Sequence, residues 1–474
     1  MAPNAVSELR NRGGKDQAVE DEGRKGASNT SFTVEEVRKH NTSKDLWFII
    51  QGQVYDVTKF VPRHPGGSII FVKPGGDVTQ LFYSYHPDYV HKLLDKFHIG
   101  KVKDSEKTIR YEEDDCEFFK ACRSKVSKYF KQNNLDPRTA VSMYVKTAVI
   151  LATLVVSYLA TFYWTSSFVL ALLFGVVFGT MKAEVGVSIQ HDANHGAYHK
   201  NGGVGDWMGT TLDLVGASSF MWKQQHVVGH HAYTNVVNED PDIRVGDKDM
   251  RRCEESQPWW SIHRYQHYYL GFLYGLLSIK STLLDDFSAL TSGKIGAVEV
   301  SKFTRREFLV FWSSKVFYYT YWFVLPSLFS DFALGKLALI WFCSEAVTGW
   351  LLAFMFQVAH VSEDLSFYHK DEKNAIKESW AVTQVKTTAD FSHDSFFWTH
   401  FSGGLNYQTV HHLFPGVCHC HYPQIAPIIL ETCKEFGIKY NVYKTFWQAL
   451  QGHFKHLQRV GSQEPLFPSL ATVG

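Results

Sequence analysis

The chain has 474 residues, 48 Lys+Arg against 47 Asp+Glu, and a formal net charge of +1. That length accommodates two domains, and the balanced charge speaks against a nucleic-acid binder, which carries a basic excess. Seven scattered cysteines show neither a disulfide framework nor a CxxC metal pair, which fits reduced thiols facing a cytosol. An aromatic content of 15% suits a membrane protein with interfacial rings.

Residues 1–31 are polar and charged, without the apolar core of a signal peptide, and read as a disordered leader. From Phe32 the character changes. Thr33-Val-Glu-Glu36 is a capping-box pattern that opens a short helix. Leu46–Ile50 and Gln53–Asp56 read as strands around a turn at Gly52. Residues 32–104 therefore form a small α+β domain, 105–140 a charged linker, and 141–474 the remainder.

Residues 147–181 carry no charged side chain. As one helix they would run roughly 50 Å at ~1.5 Å per residue, too long for a hydrocarbon core of about 30 Å. The polar stretch Trp164–Ser167 divides them into a hairpin of two spans. A second hairpin runs from Phe308 to Val358, broken near 330–336, giving about four membrane helices. Lys315 and Glu345 lie at depths about 10 Å apart by the same rise, so a direct pair between them is not expected; Lys315 is read as snorkelling to the interface. Thr210–Trp222 and Tyr265–Leu277 are short apolar stretches suited to the interface. Basic residues crowd the segment between the hairpins, which places that segment and both termini on the cytosolic side.

Two histidine constellations carry chemistry. His64-Pro-Gly-Gly67 is followed by His86, and haem iron held on both faces needs two imidazoles projecting into one cleft. Glycines after His64 let the backbone approach the porphyrin. The series from Val54-Tyr-Asp-Val-Thr58 to Phe97-His-Ile-Gly100 resembles cytochrome b5. The resemblance implies haem b with His64 and His86 as axial ligands; His91 and His98 do not match ligand positions.

The second constellation lies outside the apolar spans: His191-Asp-Ala-Asn-His195, His226-Val-Val-Gly-His230-His231 and Gln408-Thr-Val-His411-His412. Helical residues four apart share a face, with side-chain bases about 6 Å apart. Each such pair can bind one ion, and His231, turned by about 100°, can reach another. Seven histidines exceed one tetrahedral zinc and suit two redox metals with open positions. HExxH is absent, against a zinc protease. His360, at the exit of the last span, is an eighth candidate. Asp192, Asn194, Asn235, Asp240 and Asp242 are candidate partners for the outer imidazole nitrogens. Cys418-His419-Cys420-His421 is too short to wrap one ion.

HxxxH, HxxxHH and QxxHH separated by hairpins resemble the membrane fatty-acid desaturases. The N-terminal b5 domain and the glutamine opening the third box are similar to the front-end members and the related sphingolipid desaturases. The resemblance implies a polytopic, mainly α di-iron fold in the endoplasmic reticulum membrane, with two non-haem irons on the box histidines and His360. Gln408 departs from HxxHH of simpler relatives and either binds iron loosely or orients a water. Electrons would pass from NADH through cytochrome b5 reductase to the fused haem, and the tether would raise the donor to about millimolar. The irons would use O2 to remove two hydrogens from adjacent methylenes of a fatty-acyl substrate, carried on CoA or phospholipid. QHDANHGA, HVVGHHAYTN and EDPDIR look closest to delta-5 or delta-4 types. Competing readings are a sphingolipid long-chain-base desaturase, a fatty-acyl hydroxylase and a non-catalytic haem or lipid receptor.

Overall fold

The computed structural model describes residues 30–243 and 249–462. The leader expected over 1–31 lies almost wholly outside the described residues.

The first strand, β1 (Ser31–Phe32), pairs in parallel with a strand much later in the chain. Thr33 then caps α1 (Val34–Arg38): its Oγ1 accepts from Glu36 N at 3.1 Å, while Thr33 N donates to the Glu36 carboxylate. β2 (Asn41–Thr42), β3 (Asp45–Ile50), β4 (Gln53–Asp56) and β5 (His98–Val102) complete a sheet in the order β1-β5-β4-β3-β2. Gln51 and Gly52, both at positive φ, make the tight turn between β3 and β4. Alternation along β3 sends Trp47 and Ile49 to one small core and Leu46, Phe48 and Ile50 to another. That second core does not stop at the domain. It continues through Phe82 of α2 (Thr79–Tyr85) into Phe119 and Cys122 of α3 (Glu117–Gln132), and on to Trp380 and Tyr422. The stretch expected as a linker is thus packed structure. Phe119 meets Trp380 edge-on at 5.4 Å, Tyr111 donates to Ala232 O at 2.8 Å, and Arg110–Tyr111 pairs with Ala375–Ile376.

The first hairpin follows as α4 (Val141–Phe162) and α5 (Phe168–Asn194), broken at 163–167 where Ser167 caps α5. α5 continues beyond its apolar stretch through a π-type turn, Val185–Gln190, into the first histidine box. The short helix α6 (Gly202–Gly209) comes next. The second hairpin is α7 (305–329), itself with a π-type turn at Thr320–Val324, and α8 (Leu334–His360). By length and apolarity, α4, α5 and α8 qualify as membrane spans, and the chain is a membrane protein. α9 (Gln408–Leu413) carries the third box, and α10 (Tyr422–Glu435) and α11 (Phe446–Ser462) close the domain.

Charges within the hairpins are paired. Glu345 forms an ion pair with buried Lys182 and accepts from Tyr318 Oη at 2.8 Å and Ser278 Oγ at 2.5 Å. Removing one member of such a pair leaves an uncompensated charge, at a cost of about 3–5 kcal/mol. Lys315 and Glu345 do not pair, as their depths require. Lys315 does not snorkel, however. It is buried and donates to Asp286 Oδ2 at 2.5 Å and Gly216 O at 2.6 Å. A carboxylate 29 residues earlier in the chain neutralises it within the fold.

α5 and α8 approach backbone to backbone at Gly179, where a Cβ would strike the Ser344 carbonyl. Gly335, at the start of α8, has open space around it. Gly179→Ala should therefore destabilise the protein by about 1–3 kcal/mol, read as a lower melting midpoint in detergent. Gly335→Ala should leave that midpoint unchanged or slightly higher.

Candidate di-iron centre and haem site

α5 and α8 end on histidines, and helical turns from the following segments bring the rest to them. His191 and His195 lie at the end of α5, with ring centres 4.8 Å apart. His360 is the last residue of α8. His411 and His412 come from α9, and His226, His230 and His231 from the π-type turn Lys223–His230 and its following residue. All eight are buried.

They form two lobes. One gathers ligand nitrogens of His191, His195, His226 and His411; the other gathers those of His230, His360 and His412. His231 lies between, with nitrogens close to those of His411 and His412. His226 and His230, expected to share an ion, do group together beside Asp242, but each also joins a different one of the two lobes. The reason is local: in a π-type turn the i to i+5 bond replaces i to i+4, and His231 N donates to His226 O at 3.0 Å. His226 and His231 therefore meet, their Nε2 atoms 3.2 Å apart, while His230 swings to the second lobe. Gln408 belongs to that lobe too, its amide 2.8 Å from His360 Nε2 and 3.3 Å from His412 Nε2.

The donor set fits metal. Nε2 of His191, His195, His230 and His411 is buried without a hydrogen-bond partner, as are His231 Nδ1 and the Gln408 amide oxygen. A buried polar atom left in that state costs about 1–3 kcal/mol, which a coordinated cation relieves. The opposite nitrogens are held. His226 Nδ1 faces Asp242 at 2.7 Å, His230 Nδ1 faces Asp240 at 2.9 Å, and His412 Nδ1 faces Gln384 Oε1 at 2.8 Å. Such acceptors keep the proton on the outer nitrogen and turn the inner one to the metal. Burial, and then the neighbouring rings, hold His195, His231, His411 and His412 well below the ordinary histidine range, so they are neutral at pH 7 and free to take a metal. Burial would lower His230 too, but the Asp240 carboxylate raises it.

Other expected residues act differently. Asp192 does not reach a box histidine: its carboxylate accepts from His419 N at 3.1 Å and meets His419 Nδ1 at 2.8 Å. Asn194 donates to Gln190 Oε1. Asn235 supports the site indirectly, donating from Nδ2 to His360 O and from its backbone to Asp240. Two residues had escaped notice. Gln384 has no motif around it. Tyr85, whose hydroxyl lies 2.6 Å from His195 Nδ1, carried one clue, its position beside His86.

In the first domain, the rings of His64 and His86 face one another with centres 6.1 Å apart. Two metal–nitrogen bonds of about 2 Å plus the reach to each ring centre make about 6 Å, so one iron fits between them. Their Nδ1 atoms lie near Gly67 O at 3.4 Å and Phe82 O at 3.0 Å, leaving Nε2 for ligation. Burial pushes His86 down to about 4 and lowers His64 as well. A Cβ at Gly66 would strike the His64 ring, and Gly67 sits at φ +67°, so both positions of the turn call for glycine.

Buried histidine groups able to hold metal at the ends of membrane helices, with a facing histidine pair that fits a haem alongside, point to a membrane oxidoreductase. Comparison with known proteins narrows the class. The fatty acid desaturase family model matches residues 166–444, and the cytochrome b5-like haem/steroid binding domain model matches 33–103. The chain is 51% identical over 441 residues to the acyl-lipid (8-3)-desaturase of Physcomitrium patens, covering 91% of this chain and 92% of that one. It is 37% identical to Delta(5) fatty acid desaturase A of Dictyostelium discoideum, covering 91% and 94%. The acyl-lipid (8-3)-desaturase of Mortierella alpina is also 37% identical, covering 91% and 97%. The chain belongs to the cytochrome b5-fusion fatty acid desaturase family, with haem and two non-haem irons as cofactors and lipid as substrate.

Asp242→Ala should lower iron affinity roughly 10- to 100-fold, as loss of a metal ligand's outer partner does. Iron content after a chelator challenge measures this, and the haem absorption spectrum should stay unchanged.

Proposed function

We propose that this chain is a delta-5 front-end desaturase. It would place a cis double bond at the fifth carbon of a polyunsaturated acyl chain, on the carboxyl side of an existing bond at the eighth. The observation that carries the reading is the two-lobed cluster of eight buried histidines joined to a bis-histidine haem module. Relatives named (8-3)- and Delta(5)-desaturases, at 51% and 37% identity over nine-tenths of the chain, support the position.

In this reading His191, His195, His226 and His411 hold one iron. His230, His360 and His412 hold the other, with the Gln408 amide beside them as a weak ligand or the anchor of a water. His231 completes whichever lobe it turns to. His64 and His86 hold haem b. The domains divide as a leader over 1–31, a haem domain over 32–104, a connecting segment over 105–140 and a catalytic domain over 141–474. Both termini and the histidine boxes face the cytosol from the endoplasmic reticulum membrane, on the argument from basic residues. NADH-cytochrome b5 reductase supplies the electrons.

Bound irons supply the oxygen chemistry that removes hydrogen from unactivated methylenes. The chain's own residues do the rest. Asp240, Asp242 and Gln384 keep the Nδ1 protons in place and fix each ring's direction. Burial of every box histidine keeps bulk water from the centre, which protects the oxidant.

Expression in yeast fed single polyunsaturated acids tests the proposal. A new cis bond at the fifth carbon of an acid already unsaturated at the eighth is expected. A hydroxylated product, or a bond at the fourth carbon alone, overturns it. His411→Ala should abolish the product and lose iron while the haem spectrum stays intact.

A further inference from the structure

The outer nitrogens of the box histidines are held chiefly from within the catalytic domain, as by Asp242, Asp240 and Gln384. His195 is reached from the haem domain. Its Nδ1 lies 2.6 Å from the hydroxyl of Tyr85, which belongs to the haem domain, while its Nε2 is one of the buried atoms without a protein partner. With Nε2 turned to metal, Nδ1 carries the proton and donates to the phenol oxygen. The two rings lie nearly parallel, 19° apart, and Gly416 packs against the tyrosine ring.

Tyr85 is the last residue of α2 and His86 is the next. One residue serves each redox centre: the His86 ring faces His64, and the Tyr85 hydroxyl faces His195. The loop of the other axial histidine is seated as well. Ser68 Oγ donates to Asp206 Oδ1 at 2.7 Å, and a Cβ on Gly202 would strike the backbone at Gly66. Both axial segments of the haem domain therefore rest on the catalytic domain, one on α6 and one on an iron-site histidine.

From this arrangement we infer that Tyr85 is a positioning residue that couples the haem domain to the iron centre. It orients His195 and makes the covalent path from His86 to His195 continuous but for one hydrogen bond. The inference rests on the ligand assignments proposed above. In the coupled step one electron leaves the haem, whose iron goes from ferrous to ferric. The iron held by His195 goes from ferric to ferrous. No bond is made or broken and no proton is transferred. The haem is re-reduced by the reductase that serves the enzyme.

Tyr85→Phe in the full-length holoenzyme tests this, because it removes only the hydroxyl and keeps the ring. Wild-type protein is first assayed for haem and iron; without one haem and two irons the ligand assignment fails, independently of Tyr85. Two changes are then expected. Iron release to a chelator should reflect at least roughly tenfold weaker binding. Anaerobic reoxidation of the reduced haem by the oxidised iron centre, followed at the haem absorption band, should slow by at least roughly tenfold, the factor that one lost hydrogen bond takes from the population of the aligned arrangement. Direct reduction of the irons by dithionite, which needs no docked haem domain, should proceed as in wild type. Haem reoxidation at the wild-type rate overturns the inference. So does equal slowing with dithionite, which would place the defect in the iron centre rather than in the coupling.

Discussion

Eight imidazoles gathered in adjoining groups and closed off from water set the terms for the rest of this molecule. Such rings cannot all be charged, and with several nitrogens facing one another they cannot satisfy themselves. To hold metal they must be neutral and fixed in one tautomer. Three consequences are visible in the fold. Membrane helices run into the cluster, so the rigid spans set the positions of His191 and His360. Acceptors stand behind the rings to hold the outer protons. π-type turns sit before the first box and within the second, where a regular helix would aim the rings differently.

Inside the apolar layer the same logic applies to charge. Along the chain Lys182 bounds one span and Glu345 interrupts another. Folded, they cancel each other across the α5–α8 contact, and Tyr318 and Ser278 occupy the remaining carboxylate capacity. Lys315 has Asp286 in the same role. The pairs tie the two hairpins to each other and to the segment between them, at depths where an unpaired charge would be costly.

How much of this was legible follows from the range over which each residue acts. The Thr33 cap, the turn at Gly52, the hairpin break at 163–167 and the box histidines are signalled by residues a few positions apart, and they were readable. His360 was legible as a candidate because it leaves the last span on the same face as the boxes. The lobe to which each histidine belongs was not, since it depends on a π-type turn that shifts His231 onto the face of His226. Asp192 was misplaced because adjacency to His191 says nothing of direction; its carboxylate points to His419, 227 residues away. Gln384 and Tyr85 act through contacts 28 and 110 residues distant, beyond any local pattern.

The core shared by the sheet, α3 and the catalytic domain changes what fusion means here. A swinging donor on a loose cord would search for its acceptor on every cycle, and its delivery would vary with cord length. Here Phe119 is buried against Trp380, and Arg110–Tyr111 adds a strand beside Ala375–Ile376. The stretch joining the two redox modules is thus a structural part of both. A donor seated in this way delivers by geometry rather than by encounter.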